Sequence, residues 1–338
     1  MKYIIEGVKT IADEPVNISF TVTKQEPSRT NAIFFDERHV AFSDGEVTME
    51  NGDPLKAGAV IKEIILPATY DGFEVRYVPT YTGNIFNNNS IKVQKLSFPN
   101  VRYIPQEAFS FMEVEQVLWP ESCHEISQEC FRQSKIGQFV FEDSETLTKI
   151  LLNAFLEADI EEFEWPENCT EIPSACFYGS TLKKLTGGHN VTTIWHSAFE
   201  ESRLTDVPDF QRLEMIGAGA FKDTAISSFS CSFPLKTALL RNGCFMNCPN
   251  LKTVSIAADE LIIKEYVFSN TPKLRKVTID AATLSVENIS FISNSSKDQN
   301  ITAEVDISSV ETLIIPSQNN ENIINFLNPS FNCEIIAK

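Results

Sequence analysis

The chain has 338 residues, 43% of them apolar, and a net charge of -18 from 46 acidic and 28 basic residues. A surface this negative repels phosphate backbones and anionic lipid, so nucleic acid and membrane surfaces are not expected as partners. No apolar run reaches the roughly 18 residues of a membrane span, so no membrane insertion is expected. The first residues lack the apolar segment of a signal peptide, which leaves two expectations open: a cytoplasmic chain, or an exported one whose signal is absent from this sequence.

The first predicted element is a β-rich segment that spans residues 1–56 and has no internal period. Apolar and polar residues alternate strictly over 16–22, which predicts a strand. His39–Phe42 and Glu46–Met49 flank Ser43-Asp44-Gly45, a pattern typical of a hairpin. We therefore predict that residues 1–56 form a β-rich N-terminal cap or mini-domain.

A repeat of about ten coils is predicted over residues 57–316, because one subset of the phenylalanines recurs every 22 to 24 residues. A fixed period of this length is typical of a solenoid, in which each coil buries its core only against its neighbours. A branched aliphatic residue lies five positions before nine of these phenylalanines, and the residue directly before them is mostly Ala or Cys. The subset is Phe86, Phe109, Phe131, Phe155, Phe177, Phe199, Phe221, Phe245, Phe268 and Phe291.

Each coil also opens with a pattern that predicts a short strand. An aliphatic residue is followed by apolar residues three and five positions later, as at Ile160, Phe163 and Trp165. The two-residue alternation at its end places one face of the strand inward. Proline often follows, for example Pro120 and Pro166, and ends the strand because it has no N–H to donate. A second short extended piece and a tight turn then carry the phenylalanine into a stack of rings at the core.

These columns resemble the BspA-type leucine-rich repeats, also called the Treponema pallidum type. The closest matches are Tyr103–Phe109, Thr193–Phe199, Met215–Phe221 and Cys244–Ile256. The resemblance covers about residues 57–316. It implies an α/β solenoid in the form of a right-handed leucine-rich-repeat superhelix made mostly of short parallel β-strands. The family's usual ending implies a strand-helix-strand C-terminal cap over residues 317–338.

The end of the repeat leaves one register open. Residues 294–309 break the period, so the last strand of the solenoid lies either at Thr302, Val305 and Ile307 or at Val310, Leu313 and Ile315. Within the cap, a short helix is predicted over Asn319–Leu327 and a closing strand over Cys333–Ile336.

The eight cysteines are predicted to be buried free thiols. Cys123/Cys130 and Cys169/Cys176 have the same seven-residue spacing, which superficially resembles a four-thiolate zinc site. Both pairs occupy the same two core columns in coils two steps apart. Their equivalent Cα atoms are therefore about 10 Å apart, beyond the roughly 7 Å that a disulfide can bridge.

No catalytic, metal or cofactor site is predicted. The four histidines have no metal-binding spacing, and His124 and His196 are expected to be hydrogen-bonded surface residues of coil turns. Gly217-Ala218-Gly219 lacks the third glycine and the βαβ setting of a dinucleotide loop, so it is predicted to be turn chemistry. We accordingly predict a protein that is not an enzyme.

A candidate binding face is predicted on the outward positions of the first strand of each coil. Glu161, Glu162 and Glu164 are outward on one strand, and Lys183 and Lys184 occupy equivalent places on the next. The plain interpretation is a solvated face of weak opposite charges, and the functional one is an acidic-to-basic step that a protein partner recognises. Glu115 and Gln116 are further outward residues of this face. None of the remaining outward residues is aromatic. A glycan partner is therefore disfavoured on this face, although not eliminated.

These features are compatible with three functions. The favoured one is a non-enzymatic interaction or adhesion protein, which the resemblance places at the cell surface or outside the cell. The second is an intracellular leucine-rich-repeat scaffold, favoured by the missing signal peptide and the free thiols. The third is an enzyme whose site lies near the N-terminal segment, where only one histidine is available.

Overall fold

The structure is a computed structural model, and it describes some residues with their side chains and others by their backbone alone. Side chains are described over 92–98, 101–233 and 237–286. Outside those ranges it describes only the backbone of the strands at 2–9, 15–23, 39–49, 60–65, 69–70, 73–75, 304–306, 312–315 and 334–337. The chain divides into two compact units, Met1–Ile160 and Glu161–Lys338. The proposed boundaries at 56/57 and 316/317 remain predictions.

The described residues of the first unit form eleven strands. In chain order they are β1 (Lys2–Lys9), β2 (Pro15–Thr23), β3 (His39–Met49), β4 (Val60–Ile65), β5 (Thr69–Tyr70), β6 (Phe73–Val75), β7 (Lys92–Ser97), β8 (Glu113–Trp119), β9 (Glu125–Ile126), β10 (Lys135–Phe141) and β11 (Lys149–Ile150).

The second unit contains the remaining fourteen. They are β12 (Glu162–Trp165), β13 (Glu171–Ile172), β14 (Lys184–Gly187), β15 (Thr193–Ile194), β16 (Met215–Ile216), β17 (Ser228–Ser232), β18 (Thr237–Leu240), β19 (Thr253–Ala257), β20 (Glu260–Ile263), β21 (Lys276–Asp280), β22 (Thr283–Val286), β23 (Glu304–Asp306), β24 (Thr312–Ile315) and β25 (Glu334–Ala337).

The repeats form parallel sheets in which each coil contributes a first strand and a shorter second strand. In the first unit the first strands pair in the order β10-β8-β7-β4, and the second strands β11 and β9 pair with each other. In the second unit the first strands form one two-stranded sheet, β12-β14, and one four-stranded sheet, β17-β19-β21-β23. Its second strands form one sheet, β13-β15-β16-β18-β20-β22-β24-β25. The repeats of each unit thus form a parallel β-solenoid, and the described residues include no helix.

The aliphatic and phenylalanine columns form the core, as the period predicts. All nine residues of the aliphatic column are buried, from Ile104 to Val286, and β8 and β12 end at the tryptophans that precede Pro120 and Pro166. Eight of the ten periodic phenylalanines have described side chains, and each is fully buried. Phe86 and Phe291 lie outside the residues whose side chains are described.

The buried rings stack within each unit. In the first unit the ring centroids of Phe109, Phe131 and Phe155 are 5.3 and 5.5 Å apart. In the second unit five rings form one stack with successive centroid separations of 5.7, 5.2, 5.4 and 5.8 Å. Adjacent rings in this second stack are tilted by no more than 13°. Its members are Phe177, Phe199, Phe221, Phe245 and Phe268. The predicted stack of rings is therefore confirmed within each unit.

The turn around each phenylalanine has a left-handed backbone conformation that the sequence analysis does not predict. The residues two before and two after the ring have positive φ, for example Ala175 at 50° and Gly179 at 64° around Phe177. Their N–H groups and that of the ring residue donate to the next coil: Ala175 to His196, Phe177 to Ala198 and Gly179 to Glu200. This hydrogen-bond ladder fixes the left-handed conformation even where the residue carries a Cβ.

A matched pair of alanine-to-glycine changes tests this turn. Ala175→Gly removes a Cβ from a left-handed position, so we expect it to leave stability unchanged or raise it by up to about 1 kcal/mol. Ala198→Gly makes the same chemical change at a buried position outside the left-handed column, where about 1 kcal/mol should be lost. Urea denaturation of both variants measures the difference, and equal losses would contradict the assigned strain.

The predicted hairpin at Ser43–Gly45 is wrong. β3 runs unbroken from His39 to Met49 and pairs antiparallel with β2 along its length. The register shifts between Ser19 and Thr21, which pair with Glu46 and Ser43 respectively. The extra residue on β3 is a β-bulge, which the Asp-Gly pair can form as readily as a turn. The strand predicted over 16–22 is confirmed as β2.

Both alternatives for the last coil are strands. β23 continues the first-strand sheet beside β21, and β24 continues the second-strand sheet beside β22. The predicted closing strand is confirmed one residue later as β25, which pairs with β24. The helix predicted over Asn319–Leu327 lies outside the described residues, so the α part of the predicted α/β class, the two caps and the superhelix remain predictions.

Candidate functional site

The predicted acidic-to-basic step lies on the first strands of the second unit. β12 alternates exposed and buried residues, with Phe163 and Trp165 inward and Glu162 and Glu164 outward. β14 pairs with β12 in parallel, and its register places Lys184 beside Glu162. The structure therefore brings the predicted residues of these two strands together on one exposed face.

One ion pair crosses the step. The Lys183 ammonium Nζ lies 2.5 Å from Glu161 Oε1, and both side chains are largely exposed, so water screens the attraction. The side chains of Glu162, Glu164 and Lys184 make no hydrogen bond or ion pair with any described residue. Two carboxylates and one ammonium are therefore available to an external partner.

The face continues along the later first strands of this unit as a polar surface. Its outward residues change from glutamate on β12 to serine at the start of β17, and to arginine and lysine where β21 begins, and the eight that follow include no aromatic residue. The exposed residues are Thr205, Asp206, Ser227, Ser228, Lys252, Thr253, Arg275 and Lys276.

Glu115 and Gln116 lie on β8, in the first unit. Glu115 is exposed, and the Gln116 side-chain amide donates to Gln138 Oε1 at 2.9 Å. At the start of the same strand, Glu113 lies 3.0 Å from Lys92 and 3.2 Å from Lys135. Burial alone would raise the pKa of Glu113, but the hydrogen bonds from the two lysines outweigh it and lower the pKa below its ordinary value. This patch is thus a mixed-charge ladder across three strands.

A cluster of three carboxylates lies on the turns. Oxygens of Glu200, Glu201 and Asp223 are within 4.8 Å of one another. The Lys222 ammonium lies 2.5 Å from Glu200 and 3.5 Å from Asp223, and the Tyr178 hydroxyl donates to Glu201. The hydrogen bond to Glu200 is the main cause that raises the pKa of Lys222. The Lys222 ammonium therefore supplies the positive charge beside these carboxylates.

The seven cysteines with described side chains are buried, and none of them forms a disulfide. Burial raises the pKa of the Cys123 and Cys169 thiols to about 12 and that of Cys248 to about 11. The Cys248 thiol also donates to the Phe221 carbonyl oxygen at 3.0 Å. These thiols behave as small core residues rather than as ligands or nucleophiles, because the thiolate form is suppressed. Cys333 lies outside the residues whose side chains are described.

A thiol count tests this assignment over the whole chain. In denaturant without reductant, we expect a thiol reagent to titrate all eight cysteines, because no disulfide should hold any of them. In the folded chain the seven described cysteines should react far more slowly, since their thiols are buried and protonated. A count of four or fewer in denaturant would contradict the free-thiol assignment.

The histidines of the turns are surface residues, as predicted. His124 Nδ1 lies 2.9 Å from the Thr146 carbonyl oxygen, and His196 Nδ1 lies 2.9 Å from the Ser174 hydroxyl. Gly219 has a φ of 63°, which agrees with turn chemistry at Gly217–Gly219. No helix in the described part of the chain is long and apolar enough to cross a membrane.

One exposed aromatic residue was missed by the sequence analysis. Trp195 follows the buried Ile194 on the second-strand side of its coil and is 39% exposed, whereas Trp119 and Trp165 are 1% exposed. Its position in the repeat could have indicated this exposure. It lies one residue after the buried aliphatic, a position that Ser127, Pro173 and Arg241 occupy in other coils.

Comparison with known proteins identifies the repeat. A family model described as a BspA type leucine rich repeat region matches in six copies, over residues 80–205, 170–298 and 214–329. No curated protein matches the chain by sequence.

Several solved structures are similar to this chain. A leucine-rich repeat protein from Bacteroides ovatus is 14% identical, with a TM-score of 0.39, over 94% of this chain and 98% of that one. The pneumococcal vaccine antigen PcpA is 17% identical, with a TM-score of 0.39, over 99% and 98%. A leucine rich cell surface protein from Faecalibacterium prausnitzii is 17% identical, with a TM-score of 0.37, over 83% and 90%.

Proposed function

Because the chain belongs to the BspA-type leucine-rich repeat family, we propose that it is a non-enzymatic interaction protein that binds a protein partner through its first-strand face. The observation that carries this proposal is the exposed step from Glu162 and Glu164 to Lys184, whose charges have no partner among the described residues. Such a step fixes the register and orientation of a partner with the opposite order of charges. Glu115 and Gln116 add a separate polar patch in the first unit.

A triple charge reversal tests the face. Purified chain with Glu161, Glu162 and Glu164 all changed to Lys serves as bait for proteins of the native organism, beside the unchanged chain. We expect specific partners to be lost or weakened by about a hundredfold or more, since like-charge contacts cost several kcal/mol and each 1.4 kcal/mol is about tenfold.

The matched control carries the same charge change elsewhere. Glu121, Glu142 and Glu214 are exposed acids outside the outward positions of the first strands, and their change to Lys should leave every specific partner bound. Circular dichroism should show that both triple variants are folded. If all specific partners stay bound to the face variant, this face is not the binding surface.

We propose that the chain acts at the cell surface or outside the cell, as the family resemblance suggests. A second candidate, an intracellular scaffold, is favoured by one observation: none of the seven described cysteines forms a disulfide, although oxidising compartments promote disulfides. Fractionation of the native organism separates the two. Protein in the surface or secreted fraction supports the first, and protein confined to the cytosol would reject it.

A further inference from the structure

The outer side of the second-strand sheet carries an apolar stripe that the first-strand face lacks. The pairing register aligns one outward residue from each of five successive strands, β15, β16, β18, β20 and β22. The three in the middle are Met215, Leu239 and Ile262, and each is partly exposed. Three adjacent apolar side chains on an outer face form a patch rather than scattered surface residues.

Trp195 lies beside this stripe in a fixed orientation. Its indole Nε1 donates to Glu171 Oε2 at 2.8 Å, which holds one edge of the ring and leaves 39% of the residue exposed. A held ring loses little conformational freedom when a partner contacts it, which is why tryptophan is frequent among the strongest interface contacts.

Arg241 lies two rungs from Trp195 on the same hydrogen-bond ladder. Gly217 N–H donates to Ile194 O, and Arg241 N–H donates to Ile216 O. The intervening Gly217 cannot be replaced by a larger residue, because an added Cβ would lie 2.5 Å from the backbone of Trp195. Gly217 is itself buried, so neighbouring side chains already close over its backbone.

The positive charge of the Arg241 guanidinium forms no ion pair with a described residue. Its Nε donates to Met215 Sδ at 3.2 Å, and it has no carboxylate partner among the described residues. Arginine binds carboxylates in a planar, two-bond geometry, and a sulfur acceptor does not satisfy that charge. The patch therefore combines an apolar area, a held tryptophan and an unpaired cation.

We infer that Trp195, Met215, Leu239, Arg241 and Ile262, here called the outer patch, form a second interaction surface for an acidic, apolar peptide segment of a partner protein. An apolar side chain of that segment packs on Trp195 and the stripe, and a neighbouring carboxylate binds Arg241. Nucleic acid is a poorer match, because it brings a phosphate charge at every nucleotide to a patch with one guanidinium. A second copy of the chain brings a net charge of -18, whereas a short segment brings only a few negative charges, one of which Arg241 binds. The inference does not depend on the first-strand face.

Tryptophan fluorescence of the full chain measures this binding directly, because Trp195 is the one exposed tryptophan of the three. The probes are two pentapeptides with blocked ends, Glu-Leu-Glu-Phe-Glu and Lys-Leu-Lys-Phe-Lys. We expect the acidic peptide to protect Trp195 from acrylamide quenching and to bind at least about tenfold more tightly than the basic one. Absence of protection, or equal binding of both peptides, would overturn the inference with the unmodified chain alone.

Variants then assign the charge. Arg241→Gln should abolish the preference for the acidic peptide, while the matched control Arg203→Gln, at an exposed arginine outside both surfaces, should keep it. A preference that survives Arg241→Gln would overturn the assignment. Sedimentation equilibrium tests the other occupant: a dimer that Trp195→Ala dissociates would show that a second copy covers the outer patch. None of these results bears on the triple charge reversal of the first-strand face.

Discussion

Replacing Phe199 by alanine is expected to lower the free energy of unfolding by about 3–5 kcal/mol. The ring is fully buried and stacks on Phe177 at 5.7 Å and on Phe221 at 5.2 Å, so its removal leaves a cavity and two unmatched ring faces. The two neighbouring coils are held by backbone hydrogen bonds and cannot collapse fully into the gap. Urea denaturation followed by circular dichroism measures the loss.

Phe199→Leu is the matched control for ring loss without a large cavity. It keeps most of the apolar volume, and we expect it to cost less than about 1.5 kcal/mol. The difference between the two variants separates the cavity contribution from the ring contacts. A loss below about 1 kcal/mol for Phe199→Ala would show that the ring is not part of a packed stack.

Stability is expected to fall steeply above pH 9. Burial raises the pKa of the cysteine thiols in the folded chain, to about 12 for Cys123 and Cys169 and to about 11 for Cys248, while in the unfolded chain they stay near 9.0. Because these folded pKa values are raised, the stability that the thiols contribute is present below pH 9 and is lost as the pH rises towards 11 to 12. In that window each thiol reduces the free energy of unfolding by about 1.4 kcal/mol per pH unit.

Cys176→Ala isolates one thiol from the lysines and tyrosines that titrate in the same range. Cys176 is fully buried, and the same core column contains alanine at 154, 198 and 220, so alanine fits. Urea denaturation at a series of pH values should give an alkaline slope that is less steep by about 1.4 kcal/mol per pH unit in the variant. An unchanged slope would mean that this thiol ionises equally in both states.

The core could be predicted because its signal is periodic. Aliphatic residues, small residues and phenylalanines recur in register, and burial imposes the same requirement in every coil. The left-handed turns could not be predicted, because Glu129, Asn153, Ala175 and Tyr266 occupy the same positive-φ column as Gly219. The ladder between coils imposes that conformation, so glycine, asparagine and aspartate occupy only some of these positions and mark the turn weakly. At Ser43–Gly45 the sequence does carry a turn signal, but the triplet forms a β-bulge within a continuous strand.

The candidate surfaces were only partly predictable for a related reason. Alternation along β12 correctly predicts that Glu162 and Glu164 point outward. The outer patch depends on which residues of different coils become neighbours on the second strands, and those strands are only two to four residues long. Alternation over two residues carries almost no signal, so the exposure of Trp195 emerges only once the coils are stacked.

A crystal structure of the whole chain is the decisive test of the solenoid. We predict one continuous stack of the rings of Phe177, Phe199, Phe221, Phe245 and Phe268, with neighbouring centroids 5.2 to 5.8 Å apart and each ring contributed by a successive coil. Rings distributed among separate cores, or exposed to solvent, would contradict the solenoid and both surfaces assigned to it.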